Sequence, residues 1–465
     1  MTERHDVAIL GAGSAGYATA LRAAQLGLGV VMVDRGPVGG TCLHRGCIPT
    51  KAWLHAAEVR RTVAAAPSFG ISAQGGDVDA ARVREYADQV VGGLHKGLEG
   101  LLRSRNVEVV PGDGRLVVDE LGPGIDLDGS ILRARNIVVA TGAEPVTLGL
   151  PVDGERIITS EHALRLQRLP RRAVVIGGGV IGVEFASMWN DLGVEVTLVE
   201  ALPRLLPTEE PDLGEILARQ LVRRGIDLRL GAAVDGARAT DDGVEATVGG
   251  EALSSDLVLV AVGRRPNVAP VAEADLRLDG AHVAVDEFLA TSQRGVFAVG
   301  DLVKGPQLAH RGYAHGMFVA ERIAQLEGRF PGVPVLPKDR DIARITYSSP
   351  QVASVGMTTE QARSAGEVET ADFHLRGNGR ALILRAPGER EPGLVRIIRR
   401  KGGEIVGVHA IGDDVAELIT EGALLVNWRA TPQDVRDVVH PHPTLGEALA
   451  EANLQLAGAA LHMHG

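Results

Sequence analysis

Apolar and polar positions along the chain follow a repeated order: a short uncharged apolar run, a cluster of glycines, a stretch with helical spacing, and a second apolar run that closes on an acid. Residues 6–10 form the first run, Gly11-Ala12-Gly13-Ser14-Ala15-Gly16 the turn, a helix-like stretch extends to residue 26, and 30–33 lead to Asp34. The unit returns at 173–176, with Gly177-Gly178-Gly179-Val180-Ile181-Gly182 as its turn and 194–199 leading to Glu200. The interval from Gly16 to Asp34 equals that from Gly182 to Glu200, 18 residues in each. Short apolar runs bounded by turns suit strands buried on both faces, and the periodic stretches suit crossover helices. Between the copies, 81–105 reads as helix and 107–131 as short strands with turns. Further on, 257–262 reads as a buried strand entering Gly263-Arg264-Arg265-Pro266-Asn267, and 291–301 as a short strand ending in Gly300-Asp301. After a Pro- and Gly-bearing crossing at 323–338 the period becomes two, at 343–347 and 394–398. A Lys401-Gly402-Gly403 turn, a return strand at 405–410, a helix at 415–427 and another after Thr431-Pro432 complete the pattern.

Glycines at these spacings permit a tight turn and close backbone approach, the helix N-terminus receives a pyrophosphate, and the terminal acid accepts ribose hydroxyls. A lone turn of this kind is weak evidence; with strand, helix and acid in register it is the dinucleotide fingerprint. The expected fold class is therefore α/β, with two Rossmann-like dinucleotide-binding domains and a C-terminal α+β domain.

The only two cysteines lie together in Gly39-Gly40-Thr41-Cys42-Leu43-His44-Arg45-Gly46-Cys47-Ile48-Pro49-Thr50-Lys51. Pro49 suits the first helical position, with an amphipathic run to residue 66 behind it. Cys47 then lies at or just before a helix N-terminus, where the positive dipole end favours a thiolate. A poised thiolate with a second thiol in loop reach is a redox pair; two buried structural cysteines are the alternative. Two dinucleotide folds and a dithiol imply two nucleotide ligands, FAD in the first copy and a nicotinamide nucleotide in the second. Glu200 favours NAD, because a carboxylate pairs with the free 2′-hydroxyl and repels a 2′-phosphate. Ala201-Leu202-Pro203-Arg204 supplies one arginine and no cluster.

Composition narrows the partners. At 465 residues the chain holds two or three domains, and its net charge of −11 argues against nucleic acid and anionic membrane surfaces. No apolar run reaches the ~18 residues needed to span a bilayer. Residues 7–21 are uncharged but follow Glu3, Arg4 and Asp6 and contain spaced glycines, so they read as strand-turn-helix and not as a signal peptide. The expected location is cytoplasmic, or matrix-like after removal of a transit segment.

The cysteine stretch resembles the redox-active disulfide of the flavoprotein disulfide reductases, and within them Cys-Leu-x-x-Gly-Cys-Ile-Pro-Thr-Lys is most similar to the dihydrolipoamide dehydrogenases. The resemblance implies that Cys42 exchanges disulfide with a dithiol substrate, that Cys47 faces the flavin as a thiolate, and that Lys51 sits near flavin N5. His44-Arg45 departs from the family's common Asn-Val. It further implies FAD contacts from Gly11, Gly13, Gly16, Asp34, Gly114, Thr141, Gly142, Asp301, Leu308, Ala309 and His310, and NAD contacts from Gly177, Gly179, Gly182, Glu200 and Gly263. Taken alone, Gly114, Thr141 and Gly142 are ordinary turn formers, and Asp301 is equally an N-cap. Glu184 matches the family partner of Lys51; a solvated carboxylate at its helix start is the alternative. The implied domains are 1–145 (FAD-binding, first part), 146–265 (NAD-binding), 266–335 (FAD-binding/central, second part) and 336–465 (interface/dimerisation).

Near the C-terminus stands His440-Pro441-His442-Pro443-Thr444-Leu445-Gly446-Glu447. Thiol oxidation needs a base that titrates near neutrality, and a carboxylate on the other imidazole nitrogen fixes its tautomer. His442 with Glu447 fits and matches the family's His-Pro-Thr-Leu-x-Glu, with Gly446 where serine is usual. Thr444 and Glu447 also spell a capping box. The two histidines lack companion metal ligands, and His440 reads as a supporting or structural residue. In the family this histidine reaches the dithiol of the neighbouring subunit, which implies a homodimer.

The expectation is an FAD-containing, NAD-dependent dihydrolipoamide dehydrogenase. It would serve a lipoyl-bearing acyltransferase (E2) of a 2-oxoacid dehydrogenase complex or the glycine-cleavage H protein, with the lipoyl group supplied by that partner. The alternatives are a related reductase of another disulfide and, from a different class, a non-catalytic binding component of such a complex. Glutathione-type reductases carry basic residues where Ala201 and Leu202 stand, and mercuric reductases add a C-terminal cysteine pair that this chain lacks.

Overall fold

The computed structural model describes residues 5–385 and 393–462. Glu3, Arg4 and Gly465 lie outside the described residues. The chain forms two compact units. One takes the chain up to Ala52, then Glu85–Val146 and Arg264–Asp339; the other takes Trp53–Arg84, Thr147–Gly263 and the chain from Arg340 on.

In the first unit, β1 (His5–Leu10), α1 (Ser14–Gln25) and β2 (Val30–Asp34) form the expected strand–helix–strand. The cysteine stretch holds two helices, α2 (Gly40–Arg45) and α3 (Cys47–Ala65), which break at Gly46. A loop was the expectation for the first of these, and α3 starts two residues before Pro49. Proline is tolerated there because first-turn N–H groups have no intrahelical partner. After α4 (Ala80–Ser104) come β3 (Glu108–Pro111), β4 (Arg115–Asp119), β5 (Gly122–Leu127) and β6 (Ser130–Val139). The sheet order is β3-β2-β1-β6-β5-β4, with the strand Val296–Ala298 parallel to β6. β1 pairs in parallel with β2 and β6, while β4, β5 and β6 run antiparallel. Val7, Ala8, Ile9, Val31, Met32, Val33, Ile137 and Val138 are fully buried, as strands covered on both faces require. Helix Ala309–Leu326 crosses α1 at close range: a Cβ on Gly316 would lie 2.5 Å from the Ala15 carbonyl oxygen. Gly312 and Gly316, one turn apart, make that crossing possible.

In the second unit, strands Asp227–Leu230, Glu195–Glu200, Arg172–Ile176, Leu257–Val260 and Ile157–Thr159 form a parallel sheet in that order. The expected strand at 257–262 ends at Val260, where the chain turns toward Gly263. A five-stranded antiparallel sheet follows, ordered Arg344–Thr346, Gln351–Gly356, Ile405–Gly412, Leu394–Arg400 and Val368–His374. Helices Val415–Asn427 and Gly446–Leu456 pack on it. Burial along Leu394–Arg400 and Ile405–Gly412 is nearly continuous, so the expected alternation is weak in the structure. Helix Val180–Asp191 docks onto this part through its polar stripe. Glu184 Oε1 accepts from Tyr347 N at 2.9 Å, Ser187 Oγ accepts from Ser349 N at 2.9 Å, and Asp191 pairs with Arg224, which itself donates to the Ser349 carbonyl.

Candidate active site

The first glycine turn is built for a ligand. Gly11 has φ +106°, and a Cβ there would stand 2.3 Å from the Ala140 oxygen; a Cβ on Gly16 would stand 1.9 Å from the Gly11 oxygen. Both glycines are therefore required by close packing. Gly13 differs: a Cβ there meets nothing within 4 Å, and Gly13 caps α1 without a side-chain hydrogen bond. First-turn N–H groups thus face an open cradle of the kind that receives a pyrophosphate. Asp34 Oδ2 accepts from Ala12 N at 2.5 Å and Oδ1 from Gly36 N at 2.7 Å, which aims the carboxylate at the turn.

The second turn repeats this construction. Gly177 has φ +112° and Gly182 packs on the Gly177 oxygen, whereas Gly179 is open and caps its helix without a side chain. Glu200 Oε2 accepts from Gly178 N at 2.6 Å and Oε1 from Leu202 N at 2.7 Å. Gly263, at φ +117°, is open as well.

Asp301 lies just beyond the strand Val296–Ala298. Burial raises its carboxyl above the usual carboxylate range, against the pull of Arg264 and Arg311. No protein donor among the described residues bonds that carboxyl, so it is available to a ligand hydroxyl. Thr141 Oγ1 donates to the Asn267 carbonyl at 2.8 Å, and Gly142 is open at φ +71°. Leu308 caps the helix Ala309–Leu326; Ala309 opens it, and His310 is exposed on its first turn. Gly114 is enclosed: a Cβ there would meet Ile125, Leu10 and Val33 at 2.8–2.9 Å, so packing alone accounts for the glycine. These cradles fit FAD and NAD, which need open N–H groups, a ribose-binding acid and glycine where backbone meets phosphate.

The dithiol is fastened to the first turn. Gly39 N donates to the Ala12 oxygen at 2.8 Å, and a Cβ on Gly40 would stand 2.6 Å from Gly13 Cα. Cys42 in α2 and Cys47, first residue of α3, are half-buried thiols. The hydrogen bond with Cys47, then burial, push the Cys42 thiol well above its ordinary value; a hydrogen bond from Ser14 and the charge of Lys51 pull the other way. Tyr17, one turn along α1 from Ser14, donates to Tyr313 at 2.8 Å. Burial raises Tyr17 most, then Tyr313, and both cysteine sulfurs add to the shift. The first turn of α1 therefore faces the sulfur pair, which sequence spacing did not reveal. Lys51 is half-buried on the second turn of α3. His44 turns back: Nε2 meets the Val38 carbonyl at 2.8 Å, and its ring stacks edge-on against His95 of α4. Burial lowers its imidazole below the ordinary value. His44 thus ties α2 to its own loop and to α4.

In the second unit, His442 Nδ1 meets Glu447 Oε1 at 2.8 Å, while Glu447 Oε2 accepts from Thr444 N at 2.9 Å. One carboxylate serves the imidazole and half of the expected capping box; Leu445 is the cap residue. Burial alone would raise Glu447, but the Thr444 N–H and His442 outweigh it and hold the carboxyl low. With Nδ1 so engaged, Nε2 of the exposed His442 is left as the basic atom. His440 is half-buried and bonds Glu421 at 2.8 Å, which raises its imidazole above the ordinary value. Glu184 is buried, which removes the reading as a solvated carboxylate. Among the described residues no group of three His, Cys, Asp or Glu side chains is placed to hold a metal ion, and no helix is long and apolar enough to cross a membrane.

Two dinucleotide cradles, one bearing a dithiol, define an FAD- and NAD-dependent disulfide oxidoreductase. The family described as pyridine nucleotide-disulphide oxidoreductase matches residues 5–316, and its dimerisation domain matches 342–453. The chain belongs to this family, and the dimerisation domain makes it a homodimer. It is 37% identical to a dihydrolipoyl dehydrogenase of Bacillus subtilis over 99% of this chain and all of the relative. It is 39% identical to one of Pseudomonas aeruginosa over 98% of each. Among solved structures it resembles LpdA from Mycobacterium tuberculosis, with a TM-score of 0.88, 27% identity, and coverage of 97% of this chain and 99% of that one.

Proposed function

We propose that the protein is a dihydrolipoamide dehydrogenase, oxidising dihydrolipoyl groups and reducing NAD. The observation that carries the reading is the Cys42–Cys47 pair fastened to an open dinucleotide turn. One substrate thiol, its proton taken by His442, attacks Cys42 Sγ of the disulfide, and Cys47 leaves as a thiolate in the first turn of α3, where the helix dipole favours it. Glu447 holds the His442 ring in the tautomer that presents Nε2 and supports the imidazolium. FAD, when bound, supplies the two-electron acceptor between dithiol and NAD. Gly13, Asp34 and Asp301 would hold FAD with Gly11, Gly16, Gly114, Thr141, Gly142, Leu308, Ala309 and His310. Gly179 and Glu200 would hold NAD with Gly177, Gly182 and Gly263. Lys51 and Glu184 complete the proposed catalytic set.

Segments 1–145 and 266–335 are assigned to FAD, 146–265 to NAD, and 336–465 to pairing of the subunits. The partner is a lipoyl-bearing E2 acyltransferase or a glycine-cleavage H protein, and the location cytoplasmic. The test is NAD reduction by free dihydrolipoamide with purified, FAD-loaded protein. Rapid turnover with NAD and little with NADP is expected. Flavin reduction by NADH without reaction of any lipoyl compound would move the substrate to another disulfide.

A further inference from the structure

Helix Ala309–Leu326 grips the turn that carries Asp301 through two side chains one turn apart, Arg311 and His315. Gly300 N donates to His315 Nδ1 at 3.3 Å, and Arg311 Nη1 donates to the Gly300 carbonyl at 3.3 Å. Nη1 also donates to the Val303 carbonyl at 3.3 Å, and Nη2 to the Lys304 carbonyl at 2.7 Å. Nε and Nη2 reach Asp339 Oδ1 and Oδ2 at 2.6 and 3.1 Å, a bidentate pair. All five guanidinium N–H groups therefore have acceptors. Arg311 is 3% exposed, and a Cβ on Gly305 would stand 2.3 Å from both Arg311 Nη2 and Asp339 Oδ2. The ion pair requires that glycine.

We propose that Arg311 is a positioning residue of the flavin site, fixing the 300–304 backbone so that the Asp301 carboxylate meets a cofactor hydroxyl in one orientation. This rests on the assignment of Asp301 to FAD. A buried ion pair is weak evidence for stability, because apolar side chains of similar volume often serve as well. What the guanidinium adds is direction. Gly300–Leu302 is a three-residue helical turn, and carbonyls at its start and just past its end converge on one planar fork. Asp301 is half-buried and directly follows Gly300, whose N–H and carbonyl are both held. Its backbone is pinned on both sides. The neighbouring face of the same helix, Gly312 and Gly316, packs on α1 at Ala15, so the pinned turn is set against the helix that follows the pyrophosphate cradle. Lysine keeps the charge of Arg311 but is a point donor without the fork.

The experiment compares wild type, Arg311→Lys, Asp339→Asn and Asp301→Ala, with each of the first two variants also combined with Asp301→Ala. Each holoenzyme is diluted serially, and the FAD released is measured in the ultrafiltrate to give a Kd. Arg311→Lys and Asp301→Ala are each expected to raise that Kd about tenfold, as loss of one hydrogen bond to a charged group does. Asp339→Asn keeps the carbonyl bonds but loosens their anchor, so it shifts the Kd the same way by less; it decides the matter if Arg311→Lys does not fold. Because Arg311 acts through Asp301, the double variant should stay near the tenfold loss of Asp301→Ala alone, whereas independent effects would multiply to about a hundredfold. A multiplied loss, or a wild-type Kd in both Arg311→Lys and Asp339→Asn with only their melting temperatures lowered, would overturn the proposal. A wild-type Kd in Asp301→Ala would remove Asp301 from the FAD site and the role of Arg311 with it. The dilution needs no lipoyl substrate, so failure to oxidise dihydrolipoamide counts against the function alone.

Discussion

Replacing Gly40 by alanine tests how tightly the dithiol is fixed to the flavin-side turn. Gly40 has φ +58°, and its added Cβ would stand 2.6 Å from Gly13 Cα, with Gly13 N at 3.3 Å. Ordinary contact begins at 3.4 Å, and the obstacle is backbone, so α2 or the turn must yield by most of an ångström. The left-handed conformation adds about 1–2 kcal/mol for a residue with a Cβ. Gly402 provides the control: at φ +65° with nothing within 4 Å of its Cβ, it carries the same strain and no clash. Misplacement of a reacting group by about 1 Å can cost on the order of 10²-fold in rate. Gly40→Ala is thus expected to lose about 10- to 100-fold in dihydrolipoamide turnover, measured by NADH absorbance at saturating substrate. Gly402→Ala should lose about 1–2 kcal/mol in a denaturant melt and keep its turnover. Full activity in Gly40→Ala, or equal losses in the two variants, would refute the packing argument.

Three further outcomes follow from the site. Glu200→Gln keeps one acceptor for the Gly178 and Leu202 N–H groups but removes the charge, so the kcat/KM preference for NAD over NADP should fall about tenfold or more; an unchanged preference would place that role elsewhere. His442→Ala removes the base and should cost about 10²- to 10⁴-fold in turnover, whereas His440→Ala should cost far less, and equal losses would sink the assignment. His315 gives a pH prediction. Burial, then Arg311, lower its imidazole from 6.5 to about 4, and its Nδ1 accepts from Gly300 N at 3.3 Å. The fold binds the neutral ring, so this stability is present above pH 6.5 and lost as pH falls toward 4, by about 3 kcal/mol in all. His315→Gln should flatten that acid limb in melts across the range, and an identical limb would refute it.

Both glycine turns, their terminal acids and the dithiol were legible in the sequence because each depends on local backbone chemistry at fixed spacing. Gly11 and Gly16 must lack a Cβ wherever a strand turns this sharply into a helix, and Asp34 and Glu200 follow at the interval the unit dictates. The same holds for His442 and Glu447, five residues apart and joined at 2.8 Å. Tertiary structure alone decided what those units touch. Gly40 against Gly13, His44 against His95, and His440 on Glu421 join residues at separations no local rule prescribes. Glu184 is the clearest case. Helical spacing makes it an ordinary early-helix carboxylate, and only the docking of residues 344–349 buries it and gives it the Tyr347 N–H. Local geometry is written residue by residue, whereas burial and long-range partners exist only once separate elements have packed.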